Sequence, residues 1–218
     1  MVWLAAVLLA ALPIRGGDTG AETTAAVLRV FPVALPLSML ASALAVFLLT
    51  ERFSRRTGAA PARLAFALQP ADRRSVLLAA GAGALLATLL GILSAFAPAP
   101  DVETGLLAQA LSSGPLGRIA FGLTAVLLAP PVEEYVFRGV LLGTLIPIVG
   151  PFGGAALSGT AFWLLHAAEW SHYWPAALGI ASMTGLVTVL RLRTRSIVPS
   201  IGAHLFYNAT LTVMALFA

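Results

Sequence analysis

The chain has 218 residues, of which 59% are hydrophobic and only 10% are charged. This ratio excludes a soluble protein with a single core and a solvated surface, so lipid must be the solvent for most of the chain. The net charge of +4 comes from arginine alone, because the sequence contains no lysine. Arginines between apolar runs report membrane orientation and do not indicate a nucleic-acid-binding protein. The absence of cysteine excludes disulfides, cysteine-bound metals and a thiol nucleophile.

Seven apolar runs follow one another along the chain, and most are close to the roughly 20 residues that a membrane span needs. The first, Val2–Ile14, is short, and we interpret it as a marginal span because Arg15 lies on the wrong flank for a signal peptide. The sequence therefore predicts one all-α domain over residues 1–218, a polytopic bundle of about seven transmembrane helices. The other six runs are Val30–Thr50, Ser75–Ala97, Ile119–Ile146, Phe152–Ala168, Pro175–Leu190 and Ile197–Phe217.

Two arginine-rich segments predict the orientation of these helices. Residues 51–74 contain six arginines, and Arg191, Arg193 and Arg195 follow the sixth run, whereas residues 18–22 and 101–103 carry acidic groups. Because positive loops stay in the cytoplasm, seven crossings from a cytoplasmic amino terminus satisfy this pattern. Short loops without sorting signals indicate a prokaryotic plasma membrane.

Ionisable side chains inside the apolar runs mark a candidate site. Each costs about 2.5–3.5 kcal/mol on insertion scales, and such residues usually serve a function. Three separate runs bring polar groups to membrane depth. They are Glu133, Glu134 and Arg138 in the fourth run, His166 in the fifth, and His204 with Asn208 in the seventh.

The spacing of the acidic group predicts an ion pair. Glu134 and Arg138 are four residues apart, so they share a helix face, while Glu133 points about 100° away. Pro130 and Pro131 cannot continue the hydrogen bonding of the preceding turn. We therefore expect a break there, with a helix that restarts at Pro131 and carries both carboxylates in its first turn.

The histidines show the same helical spacing. His204 and Asn208 are four residues apart and can together donate two hydrogen bonds to one oxygen. Phe162 lies four residues before His166, where its ring can pack beside the imidazole. A metal-protease signature starting at His166 would need histidine at position 170, which is Trp170. Gly81 and Gly83, with alanines around them, predict close helix packing.

Several readings of these residues stay open at this point. A buried Glu–Arg pair is often a structural clamp, and a single intramembrane histidine is often an interhelical hydrogen bonder. Buried Glu and His also build proton relays in transporters, although the sequence has no evident inverted repeat. A non-catalytic membrane immunity or scaffold protein could keep the same groups as a peptide-binding pocket.

Three motifs in order resemble the CAAX-processing and bacteriocin-immunity intramembrane endopeptidases, the Abi or CPBP family that includes the type II CAAX prenyl endopeptidases. They are Glu133–Gly139 (E-E-x-x-x-R), Phe162–His166 (F-x-x-x-H) and His204–Asn208 (H-x-x-x-N). The resemblance covers about residues 120–214. It divides the chain into residues 1–118, of unassigned role, and residues 119–217, which form the catalytic helices.

The resemblance implies hydrolysis of a peptide bond in a membrane-associated peptide or protein. Glu133 and His166 would activate water, and His204 and Asn208 would stabilise the oxyanion. Glu134 and Arg138 would hold Glu133, with Phe162 in a supporting role. Two mechanisms stay open: zinc bound by Glu133, His166 and His204, which form a hydrolase ligand set, or a metal-free water activated by glutamate.

Overall fold

The structure is a computed structural model that describes residues 20–57, 67–97, 114–171 and 173–217. Within these ranges every regular element is a helix and none is a strand, which confirms the predicted all-α class. The chain falls into two compact units. One comprises Met1–Phe47 and Val102–Ala129, and the other comprises Leu48–Asp101 and Pro130–Ala218. Every residue of the predicted site lies in the second unit.

The helices follow the apolar runs, because a backbone in lipid must satisfy its hydrogen bonds internally. Two stretches are π-helical, with wider turns than an α-helix. In chain order the elements are α1 (Gly20–Thr57), α2 (Arg73–Ser94), α3 (Gly114–Leu123), π1 (Thr124–Leu128), α4 (Ala129–Glu134), π2 (Tyr135–Leu141), α5 (Leu142–Leu165), α6 (Ala167–Trp170), α7 (Trp174–Thr194) and α8 (Val198–Phe217).

Four helical stretches in the described part of the chain are long and apolar enough to cross a membrane: 32–56, 73–94, 114–165 and 174–194. The predicted count of seven is not confirmed. The 114–165 stretch joins two predicted spans, but Gly150 interrupts α5 with φ 75° and ψ 171°, a conformation that glycine adopts readily. The last predicted span forms α8, which is not among the four. Val2–Ile14 lies outside the described residues.

The core of the second unit is formed by α2, α7 and α8. Buried alanines of α2 and α8 pack with Met183 and Val187 of α7 and with Tyr207 of α8. The closest approach is at Gly83, where an added Cβ would overlap the carbonyl group of Ala203. This contact confirms that Gly83 permits close helix packing. Helix α2, which the sequence left without a role, therefore supports the helix that carries His204.

The two arginine-rich segments lie together at one end of the second unit. The Gln69 amide donates to the carbonyl of Arg195 at 2.6 Å, and the hydroxyl of Ser196 donates to the carbonyl of Gln69 at 2.6 Å. The backbone N–H of Ile197 also donates to the carbonyl of Ala67 at 3.0 Å.

Two expectations about where helices end were wrong. Arg191 does not lie in a loop, because α7 continues to Thr194 and buries Arg191 in its last turn. The helix also does not break at Pro130 and Pro131, since α4 contains both and the chain stays helical from α3 into α5. In π1, directly before the two prolines, the N–H of Ala129 reaches back to the carbonyl of Thr124.

Candidate active site

Glu134 is the centre of the buried polar cluster. Its Oε1 accepts from Nη1 of Arg138 at 3.1 Å and from Nδ1 of His204 at 2.9 Å. The side chains of Glu134 and Arg138 are completely buried, and that of His204 is nearly so. The predicted Glu134–Arg138 pair is thus present. The second partner of Glu134 is His204, a contact that the sequence did not predict.

The hydrogen bond to Glu134 fixes how His204 is presented. A carboxylate only accepts, so Nδ1 of His204 carries the proton that it donates. Nε2 of the same ring faces Glu133, with 3.8 Å between Nε2 and Oε2. Glu133 is partly exposed, at 12% for its side chain. A carboxylate and an imidazole nitrogen therefore lie side by side at the accessible edge of a buried ion pair.

Phe162 packs at the junction of the three motifs. Its ring centroid lies 4.5 Å from that of His166 and 6.0 Å from that of His204. The guanidinium carbon of Arg138 lies 4.4 Å from the same centroid, a cation–π contact. The predicted packing of Phe162 beside His166 is present, and this one buried ring links the helices that carry all three motifs.

His166 stands where α5 ends and α6 begins. Its φ of −96° and ψ of 19° lie outside the helical region, a backbone position where many active-site residues are found. Nδ1 lies 2.8 Å from the carbonyl oxygen of Phe162, which only accepts, so Nε2 is left for other partners. Trp163 precedes this bend and Trp170 follows it, and their rings stack with centroids 3.8 Å apart. Their contact holds the bend that places His166.

Asn208 lies on α8 one turn after His204, as the spacing predicts, and it is half-buried. On a helix, residues four apart share a face, so Asn208 and His204 lie on the same side of α8. All four residues predicted to be catalytic therefore come from helices of the second unit.

The sequence offers Glu133, His166 and His204 as a possible zinc ligand set. Both histidines use Nδ1 for a carbonyl or a carboxylate, an arrangement that is common for metal-bound histidine. However, the described residues contain no group of three or more His, Cys, Asp or Glu side chains that could hold a metal ion. Glu133 and His204 lie together, with 3.8 Å between Oε2 and Nε2.

Three further hydrogen bonds at and beside Arg138 could not be predicted from the sequence. Nη2 of Arg138 donates to the carbonyl of Thr184 at 3.4 Å, and Arg191 donates from Nε to the carbonyl of Arg138 at 3.1 Å. The hydroxyl of Ser158 donates to the carbonyl of Phe137 at 2.8 Å. The acceptors are backbone groups, which carry no side-chain pattern that a sequence could reveal.

A comparison with known protein families finds a match to the segment that contains this cluster. Residues 115–210 match the family model described as Type II CAAX prenyl endopeptidase Rce1-like. Over this segment the chain is similar to that family. The Rce1-like match confirms the resemblance given by the three motifs, and it contains all of them. No curated protein and no solved structure matches the chain.

The Rce1-like family that this segment resembles is a family of CAAX-type peptidases. The family match and the long apolar helices together indicate an integral membrane protein. The match covers a little under half of the chain and begins at the amino-terminal end of α3.

Proposed function

We propose that the protein is an intramembrane endopeptidase that hydrolyses a peptide bond of a membrane-associated substrate through water activated by Glu133. The observation that carries this proposal is the position of Glu133. Its carboxylate is partly accessible and lies 3.8 Å from Nε2 of His204, whereas Glu134 is buried in contacts with Arg138 and His204. Two adjacent carboxylates thus have different environments, as different chemical roles require.

Glu133 acts as the general base in this proposal. A water within hydrogen-bond distance of its carboxylate gives up a proton as the water oxygen attacks the scissile carbonyl. His166 assists by accepting a hydrogen bond from the same water at Nε2, because its Nδ1 is already engaged. When the C–N bond breaks, the proton that Glu133 has taken up passes to the leaving amine nitrogen. A surrounding apolar bundle strengthens these electrostatic effects.

His204 and Asn208 stabilise the oxyanion that forms. Nδ1 of His204 donates to Glu134, so Nε2 donates to an oxyanion when the ring carries both protons. Preorganised donors of this kind typically contribute about 10²–10³-fold to the rate.

The proposed reaction needs no metal ion. The described residues lack a three-ligand group for zinc, and Glu133 cannot readily serve both as a ligand and as the base. Glu134 is not a substitute base, because Arg138 and His204 already engage its Oε1.

The family match is the basis for the substrate class that we propose. The Rce1-like family description names a prenyl endopeptidase, and we propose a prenylated peptide or protein as the substrate class for this chain. The arginine-rich end of the second unit would face the cytoplasm of a prokaryotic plasma membrane, in line with the positive-inside rule.

A cleavage assay with purified protein in lipid nanodiscs tests this function. The probe is an internally quenched peptide with a farnesylated cysteine four residues from its carboxyl terminus, and mass spectrometry identifies the products. We expect a single new pair of termini on the carboxyl side of the farnesylated cysteine. A non-catalytic scaffold would leave the peptide intact, and so would a transporter, which would instead show uptake driven by a pH gradient.

A further inference from the structure

The π-helical segment π2 leaves one backbone carbonyl without its ordinary helical partner. In an α-helix the carbonyl of Arg138 would accept from the N–H of Leu142, four residues later. Here the N–H of Leu142 reaches the carbonyls of Phe137 and Gly139 instead. A π-helical turn of this kind often marks a functional position. The carbonyl of Arg138 must then find another donor, because an unpaired polar group in an apolar bundle is costly.

Side chains from two neighbouring helices bind this turn. Arg191, in the last turn of α7, donates from Nε to the carbonyl of Arg138 at 3.1 Å. Ser158 of α5 donates from Oγ to the carbonyl of Phe137 at 2.8 Å. Both side chains are buried. In contrast, Arg193 lies in the same last turn of α7 and is exposed, as an arginine at a membrane surface is expected to be.

These contacts are continuous with the proposed active site. Arg138 binds Glu134, Glu134 binds Nδ1 of His204, and Nε2 of His204 faces Glu133. If π2 relaxed to an α-helix, the chain on one side of it would rotate by about 100° relative to the other side. Because Glu133 and Glu134 lie before π2 and α5 follows it, this rotation relative to α5 would turn both carboxylates away from His204. His204 would then lose the group that orients it.

We infer that Arg191 and Ser158 are positioning residues that hold π2 in its register and thereby orient His204 against Glu133. The predicted change in kcat rests on the proposed function. The predicted orientation of His204 can be measured without turnover. Neither residue touches the reacting atoms. Arg191 thus has a role that its place in an arginine-rich cluster does not reveal.

The kinetic test compares Arg191→Gln with Arg193→Gln in the nanodisc assay with the farnesylated quenched peptide. Arg191→Gln should lower kcat by about ten- to hundred-fold, the size of effect that misplacement of a reacting group produces. KM should stay within about twofold, because a lost transition-state interaction lowers kcat and not substrate binding. Arg193→Gln should match the wild type in both, and Arg191→Lys should recover part of the lost kcat by donating to the same carbonyl.

Ser158→Ala provides a second and milder variant if Arg191→Gln folds poorly. Because both side chains act on one turn, the double variant should lose less kcat than the product of the two single losses. Equal kcat in Arg191→Gln, Ser158→Ala and wild type would overturn the inference. A loss of kcat that only follows a loss of folded protein, measured by the melting of tryptophan fluorescence, would overturn it as well.

Histidine-selective ¹⁵N NMR separates this inference from the proposed function. The chain has three histidines, so the signal of His204 is assigned by its substitution. Arg191→Gln should shift or broaden the Nδ1–H signal of His204, and Arg193→Gln should leave it unchanged. If the wild type cleaves nothing, the proposed function fails while this spectrum still decides the positioning role. An unchanged His204 signal in Arg191→Gln and Ser158→Ala would refute it.

Discussion

Glu133 and Glu134 are neighbours in sequence, but we expect their substitution by glutamine to have very different effects on stability. Glu134→Gln removes the charge that faces the completely buried Arg138 and weakens the acceptor for His204. Breaking a buried ion pair by removing one partner costs about 3–5 kcal/mol, because the remaining charge stays buried without compensation. At about 2–4 °C per kcal/mol for a chain of this size, the melting temperature should fall by roughly 6–20 °C.

Glu133→Gln is the matched control. Glu133 is partly exposed, and its nearest charged partner in the cluster is His204 at 3.8 Å, so little stability depends on its charge. Its melting temperature should stay within about 2–4 °C of the wild type, equivalent to about 1 kcal/mol. Tryptophan fluorescence during heating in nanodiscs measures both values. Equal melting temperatures for Glu134→Gln and wild type would show that Arg138 does not depend on Glu134, and would refute this reading of the cluster.

Three further predictions follow from the packing, the capping and the metal test. Gly83→Val should lower the melting temperature, since overpacking costs typically about 1–3 kcal/mol, whereas Gly81→Ala should not, because a Cβ there meets no atom within 4 Å. The hydrogen bonds from Ser75 lower the pKa of Asp72, the amino-terminal cap of α2. The stability that the Asp72 carboxylate contributes is therefore present above its ordinary pKa of 3.8 and is lost as pH falls through the lowered value. Asp72→Asn should lack this pH dependence of the melting temperature while still capping the helix. Dialysis against a chelator should leave the cleavage rate of the purified protein unchanged, and loss of rate together with stoichiometric zinc would contradict the metal-free proposal.

The sequence predicted the helices and the pairing of residues four apart with good accuracy. Glu134 with Arg138, and Phe162 with His166, are contacts within one helical turn, so their geometry follows from the helix itself. The apolar runs likewise predict where helices form, because lipid leaves the backbone few alternatives. The three motifs then indicated the family that the match over residues 115–210 confirms.

Contacts between helices could not be predicted in the same way. The hydrogen bond from His204 to Glu134 joins residues 70 apart in sequence, and its existence depends on how α8 lies against the helix that carries Glu134. The π-helical turns were also missed, since a helical pattern of apolar residues does not reveal where one extra residue enters a turn. For the same reason Arg191 was interpreted as a loop residue, although it binds a carbonyl that only π2 leaves available.

The most direct measurement is the initial cleavage rate of Glu133→Gln in nanodiscs, relative to the wild type and to Glu51→Gln. Glu51 is a second partly accessible carboxylate, paired with Arg55 at 2.9 Å, and therefore controls for loss of one negative charge. The account predicts a loss of about 10²–10⁴-fold for Glu133→Gln, the range expected for a general base, and a wild-type rate for Glu51→Gln. Cleavage by folded Glu133→Gln at the wild-type rate would contradict the assignment of Glu133 as the base.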